Sequence, residues 1–167
     1  MVSSFKMVQI TNVVVHTDLH TAIDLTQLND QDIRYDPETF SGAIWKHREI
    51  GGCCLVFRNG KLNCSGNRSV QEAKNRIKQY AGLLHQSPSK IEVITMSAVH
   101  QLSTELDYRR TLELLGATYE PEIHNAVMLK RGKIHYNCFR TGKVIIMGIR
   151  DIDDIYPTLL ELELCTI

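Results

Sequence analysis

The chain has 167 residues, with 19 Lys plus Arg balanced by 19 Asp plus Glu, and its formal net charge is zero. That length allows one compact unit, or two small halves, with a real hydrophobic core. Neutrality excludes recognition through overall basicity, and without an 18-residue apolar run or a secretory segment the chain is expected to be soluble, intracellular and without a membrane partner.

In chain order, the β-branched run from Gln9 to Thr17 predicts a strand. Asp24-Leu25-Thr26-Gln27 has capping-box spacing and predicts a short helix, which Tyr35-Asp36-Pro37 interrupts. Residues 41–48, 52–58 and 61–65 read as three strands, divided by Gly51-Gly52 and by the hairpin pair Asn59-Gly60. Ser69 with Glu72 opens a helix whose Val70, Ala73, Ile77, Tyr80, Ala81 and Leu84 share one face. The order then repeats. Ile91 to Val99 predicts a strand and Thr104 to Leu115 a helix stopped by Gly116. Residues 124–131, 133–139 and 143–147 predict three more strands, and a helix from about Asp151 is kinked or restarted at Pro157.

The repetition is literal. Tyr35-Asp36-Pro37-Glu38 returns as Tyr119-Glu120-Pro121-Glu122, and Phe57-Arg58-Asn59-Gly60-Lys61 as Phe139-Arg140-Thr141-Gly142-Lys143. The offset is 84 between Tyr35 and Tyr119, and 82 between Phe57 and Phe139. Two long copies predict a pseudo-symmetric molecule rather than a solenoid, with repeats at 1–86 and 87–167. A nearly two-fold ligand such as duplex DNA suits that symmetry.

Charge is distributed in the same duplicated way. Residues 40–68 carry Lys46, Arg48, Arg58, Lys61 and Arg68 against Glu49 alone, and residues 124–150 carry six cations and no acid. Strand alternation places Leu62 and Cys64 opposite Lys61, Asn63 and Ser65, and Val144 and Ile146 opposite Lys143, Ile145 and Met147. If the helix from Ser69 covers the Leu62 side, Phe57 belongs with Leu55 and Cys53 on the uncovered face. An aromatic at a hairpin tip, ringed by Arg58 and Lys61, recurs as Phe139 with Arg140 and Lys143, and fits an apolar wedge entering between base steps from the minor groove.

These motifs, with Ile155-Tyr156-Pro157, resemble the core domain of the TATA-box-binding protein family over nearly the whole chain. The resemblance implies an α+β fold: a saddle-shaped pseudo-two-fold duplication, a curved antiparallel sheet with helices on its convex face. It places Phe40 and Phe57 at the family's intercalating pair, Asn12 and Val14 at central base contacts, and Lys46 and Arg48 at phosphate-binding positions. Ser65 stands for a base-contacting threonine, and Asn63 for an apolar groove residue. In the second repeat Phe139 is kept, but its partner is His124, as in the divergent TBP-like factor branch. Val93 stands where a second asparagine is expected, Met147 replaces the second threonine, and Asn137 replaces a leucine. The expected DNA-binding set is therefore Asn12, Val14, Phe40, Lys46, Arg48, Leu55, Phe57, Arg58, Lys61, Ser65, His124, Lys130, Phe139, Arg140, Lys143 and Met147. The resemblance further implies that Glu120, Glu122 and Ile123 meet transcription factor IIB, and that Lys74, Arg76 and Lys78 meet factor IIA.

The implied function is transcription initiation in a nucleus, alongside the RNA polymerase machinery, by minor-groove bending with weakened or altered TATA preference. The alternative is a protein-interaction scaffold or decoy that holds factor IIA or IIB and scarcely touches DNA. An enzyme is not expected. The Arg140-Thr141-Gly142-Lys143 run lacks the early glycine of a phosphate loop, and the seven histidines and five cysteines have no metal-binding spacing, so no cofactor is expected.

Overall fold

The computed structural model describes residues 8–167, so the first seven residues of the expected first repeat lie outside it. The chain divides into two compact units: Asn12–Ile94, and Thr95–Ile167 together with the segment ending at Thr11.

The Asn12–Ile94 unit receives β1 (Gln9–Asp18), followed by a 3-10 turn at Leu25–Gln27 and the edge strand β2 (Ile33–Arg34). Then come β3 (Ala43–Trp45), β4 (Cys53–Val56), β5 (Lys61–Asn67) and helix α1 (Val70–Leu83). The strands pair antiparallel in the order β2-β3-β4-β5-β1. The expected helix at Asp24 is a single 3-10 turn, because the Asp24 carboxylate accepts from the N–H of Thr26, two residues on, rather than three. Helix α1 starts as its box predicts, with one displacement. Ser69 Oγ accepts from the Glu72 N–H (3.0 Å), while Glu72 reaches past Ser69 to the Arg68 N–H (2.7 Å).

One face of this sheet is sealed against α1. Val13, Val15, Ala43, Trp45, Cys54, Val56, Leu62 and Cys64 are buried with Ala73, Ile77, Tyr80 and Ala81. Tyr80 and Trp45 meet edge to face at 5.3 Å. The Tyr80 hydroxyl accepts from the His47 N–H (3.0 Å) and donates to the Gly51 carbonyl (2.9 Å), closing the β3–β4 turn. Burial pushes that hydroxyl up to about 12, so it stays a neutral donor. Burial likewise raises the Cys54 and Cys64 thiols, which rest as small apolar fillers.

The second unit repeats the plan. It receives β6 (Ile91–Gln101), then α2 (Tyr108–Leu115), β7 (Thr118–Tyr119), β8 (Val127–Arg131), β9 (Ile134–Cys138) and β10 (Lys143–Ile149). A 3-10 turn at Ile152–Ile155 leads into α3 (Tyr156–Glu163), with Pro157 in its first turn. The order is β6-β10-β9-β8-β7, again antiparallel. Helix α2 begins four residues later than expected, capped by Asp107, whose carboxylate accepts from the Arg110 N–H (3.1 Å). Residues 103–105 are held elsewhere. Ser103 gives its N–H and hydroxyl to Glu163, Thr104 donates to the Ile167 carbonyl, and the Ile167 N–H binds Glu105.

The two hairpin tips are built alike. Gly60 (φ +89°) and Gly142 (φ +90°) each donate an N–H to the phenylalanine three residues back, at 2.9 Å in both cases. A Cβ at Gly60 would strike the Thr21 carbonyl oxygen in a backbone region that favours glycine. Gly60→Ala is therefore expected to cost about 1–3 kcal/mol, read as a lower urea midpoint. Tyr80→Phe removes both part-buried hydrogen bonds of the Tyr80 hydroxyl and is expected to cost about 1–3 kcal/mol; an unchanged denaturant slope would separate it from a global change of structure.

Candidate nucleic-acid interface

With α1 on one side of the first sheet, strand alternation turns the remaining side chains to the other. One row across β3, β4, β5 and β1 reads Ile44, Leu55, Asn63 and His16, all half-buried. The next reads Cys53 opposite Ser65, with Val14 facing the β-bulge at Ser65 and Gly66 in β5 and Lys46 just beyond β3. Phe57 continues the Leu55 side at the hairpin tip and is half-exposed. The matching rows in the second unit are Val99, Ile145, Asn137 and Met128, and then Met147, His135 and Lys130. Met147 is 40 % exposed.

Each tip carries a pair of rings. Phe40 and Phe57 meet edge to face, centroids 5.9 Å apart at 69°. His124 and Phe139 meet at 5.9 Å and 78°. The backbone turn that delivers each first ring is the same, with the Phe40 N–H on the Asp36 carbonyl (3.0 Å) and the His124 N–H on that of Glu120 (2.9 Å). A Cβ at Gly42 would sit 3.0 Å from the Phe57 ring and 3.1 Å from Phe40. The second repeat has Ala126 at that place, fully buried, beside the smaller imidazole. His124 thus occupies in its pair the position that Phe40 holds in the first, and its buried Nε2 has no hydrogen-bond partner.

Arg58 and Lys61 flank the first tip and Arg140 and Lys143 the second, while Lys46 and Lys130 lie farther along the sheet, in the rows of Cys53 and His135. Lys46, Arg58 and Lys61 are exposed in the first unit, and Lys130, Arg140 and Lys143 in the second. The Arg140 guanidinium lies 4.2 Å over the Tyr108 ring, which fixes its direction. A cleft of about 660 Å³ beside Phe57 is lined by Tyr35, Pro37 and Arg58, and one of about 300 Å³ beside Phe139 by Arg140 and Lys143.

Two of the cations named from sequence are engaged within the chain. Arg48 forks onto Asp32 through Nε (3.2 Å) and Nη2 (3.0 Å), and holds that carboxyl below its ordinary range. Arg76 donates to the Ile50 and Gly66 carbonyls and to Asn67 Oδ1, and pairs with Glu72 at 3.0 Å. It is a clamp on the β3–β4 turn rather than an open charge. Lys74 is half-exposed and Lys78 exposed on the same helix. Glu120, Glu122 and Ile123 stand out from the turn between β7 and β8, Ile123 being 79 % exposed.

The strand register also moves one assignment. Val13 pairs with Asn67 and Met96 with Ile149, so the counterpart of Asn12 is Thr95, not Val93. Counting back from Leu19 and Leu102, which bind the Gly60 and Gly142 carbonyls at 2.9 Å alike, would have found it. Asn12 itself is oriented: its Oδ1 accepts from the Gly66 N–H (2.8 Å), which leaves the amide nitrogen as donor. The sequence reading also passed over one pairing, His16 Nδ1 donating to Asn63 Oδ1 at 2.7 Å on the open face. Among the described residues, no three His, Cys, Asp or Glu side chains gather as metal ligands, and no helix is long and apolar enough to cross a membrane.

The family model of transcription factor TFIID, or TATA-binding protein, matches residues 7–87. The TATA-box-binding protein of Methanothermococcus thermolithotrophicus is 35 % identical over 175 residues, covering 93 % of this chain and 96 % of its own. That of Thermoplasma acidophilum is 28 % identical over 174 residues, covering 96 % and 95 %. The solved structure of Methanococcus jannaschii TBP superposes with a TM-score of 0.78 at 27 % identity, over 93 % of this chain and 95 % of that one. Duplicated five-stranded units, paired rings at both hairpin tips and relatives matched almost end to end agree: the chain belongs to the TATA-binding protein family, a family of DNA-binding transcription factors and not of enzymes.

Proposed function

We propose that the chain binds duplex DNA in the minor groove, kinks it with the ring pairs Phe40/Phe57 and His124/Phe139, and nucleates transcription initiation. The carrying observation is a sheet face left half-exposed in each unit, with two edge-to-face rings and exposed cations at its tip. Such a face needs a cover, and ring wedges flanked by cations fit an unstacked base step between phosphates. Wedging and kinking from the minor groove is the family's known mode of binding DNA. Residues 1–86 and 87–167 act as the two repeats.

The polar groups support readout of unequal strength. The oriented Asn12 amide offers N–H to a groove edge lined with acceptors. Thr95, Ser65 and Asn137 add hydrogen-bonding groups, while Val14, Leu55 and Met147 offer only shape. Binding with altered TATA preference follows. Glu120, Glu122 and Ile123 are the surface offered to a IIB-type factor, and Lys74 and Lys78 to a IIA-type factor, ahead of the polymerase. The relatives named above come from archaea, which have no nucleus, so nuclear localisation is proposed for a nucleated host alone.

A second reading, a scaffold that holds such factors with little DNA affinity, draws on the Arg48–Asp32 fork and the exposed Ile123. Salt-titrated binding separates the two. Minor-groove binding is expected to weaken steeply between 50 and 200 mM salt, whereas a scaffold captures its factor without measurable duplex affinity.

Phe57→Ala and Phe139→Ala are each expected to weaken duplex binding about tenfold or more, from the lost stacking of a ring on bases. Both are expected to reduce the bend seen by energy transfer between end-labelled strands. Glu120→Ala with Glu122→Ala is expected to spare the bend and weaken capture of a IIB-type factor on the protein–DNA complex, measured by gel shift.

A further inference from the structure

We propose that His16 and Asn63 form a reader for a guanine amino group, giving the first repeat a preference for one G·C pair within its part of the bound site. The inference rests on the minor-groove reading above and adds a base preference to it.

The two side chains lie in one row of the open face, cross-strand neighbours on β1 and β5, both half-buried and 2.7 Å apart. An amide oxygen accepts, so His16 Nδ1 carries the shared hydrogen. In that tautomer the ring retains an Nε2 lone pair and the amide retains its N–H₂. Turning the amide by 180° exchanges both roles and again leaves one donor and one acceptor. The pair therefore offers mixed polarity in either arrangement.

That polarity has one complement in the minor groove. A·T and T·A present acceptors alone, at adenine N3 and thymine O2, while G·C adds the guanine N2 donor. A protein acceptor set against an A·T edge faces another lone pair. Against G·C it receives the amino hydrogen, and the neighbouring amide N–H₂ meets N3 or O2. In the second unit the same row holds Val99 opposite Ile145, with no polar atom on either side chain. Asn137 stands next in that row between Ile145 and Met128, with no ring across from it, so the paired reader belongs to one repeat and gives the pseudo-symmetric chain a distinguishable end.

Base analogues isolate the amino group. Inosine·C keeps the major-groove edge of G·C without the amino group, and 2,6-diaminopurine·T adds the amino group to an A·T pair. The full chain is titrated with TATA-type duplexes in which each position in turn carries A·T, G·C, inosine·C or diaminopurine·T. The expected result is one position where G·C and diaminopurine·T bind about fivefold or more tighter than A·T and inosine·C. His16→Val and Asn63→Ile, which copy the second repeat, should reduce that ratio to about one, with thermal melts showing that each variant is folded. Adding Val99→His and Ile145→Asn together should create a second such position. Binding to the duplexes with no position sensitive to the amino group overturns this inference and leaves minor-groove recognition standing. Failure to bind any of the duplexes overturns both.

Discussion

A β-strand has two faces, and a helix laid across a sheet can cover one of them. In each unit of this chain the covered face is completed to a dry interior, with Leu62, Cys64 and Val56 under α1 in one case and Val144, Ile146 and Cys138 buried in the other. The alternate residues are then fixed in place by backbone pairing alone, on a surface the protein does not close. Rigidity on that surface is inherited from the core beneath it. This is why apolar groups such as Leu55, Ile44 and Ile145 can stand half-exposed in defined rows instead of collapsing onto one another.

The duplication separates what the backbone requires from what chemistry is free to change. Both copies keep the turn before the first ring, the left-handed glycine after the second, and the hydrogen bonds from Leu19 or Leu102 to the hairpin. The side chains on the open rows have drifted apart. Where one copy has His16 and Asn63, the other has Val99 and Ile145, and where one has Ser65, the other has Met147. A common scaffold thus presents two unlike surfaces.

Much of this was legible in the sequence, because the signals are local. Asn59-Gly60 and Thr141-Gly142 announce their turns through the positive φ that glycine permits, and period-two alternation separates Phe57 from Leu62 without coordinates. Ser69 and Glu72 mark the start of α1. Elements set by distant partners were not legible. The two-residue strands β2 and β7 exist through pairing with β3 and β8. The late start of α2 depends on Glu163 and Ile167, some sixty residues on, holding the Ser103–Glu105 segment. Arg48 and Arg76 read as open cations because nothing local reveals Asp32 sixteen residues back, or the carbonyls of Ile50 and Gly66. The misplaced counterpart of Asn12 has the same origin, since it is fixed by the pairing of Val13 with Asn67 and of Met96 with Ile149, residues far apart along the chain.

The ring pairs carry a historical consequence. Gly42 leaves room for two six-membered rings, and Ala126 fills that room next to a five-membered one. A methyl at 42 would stand 3.0 Å from the Phe57 ring and 3.1 Å from Phe40, so those rings would have to yield by a few tenths of an ångström to admit it. Drift at position 42 is therefore answerable to both rings at once.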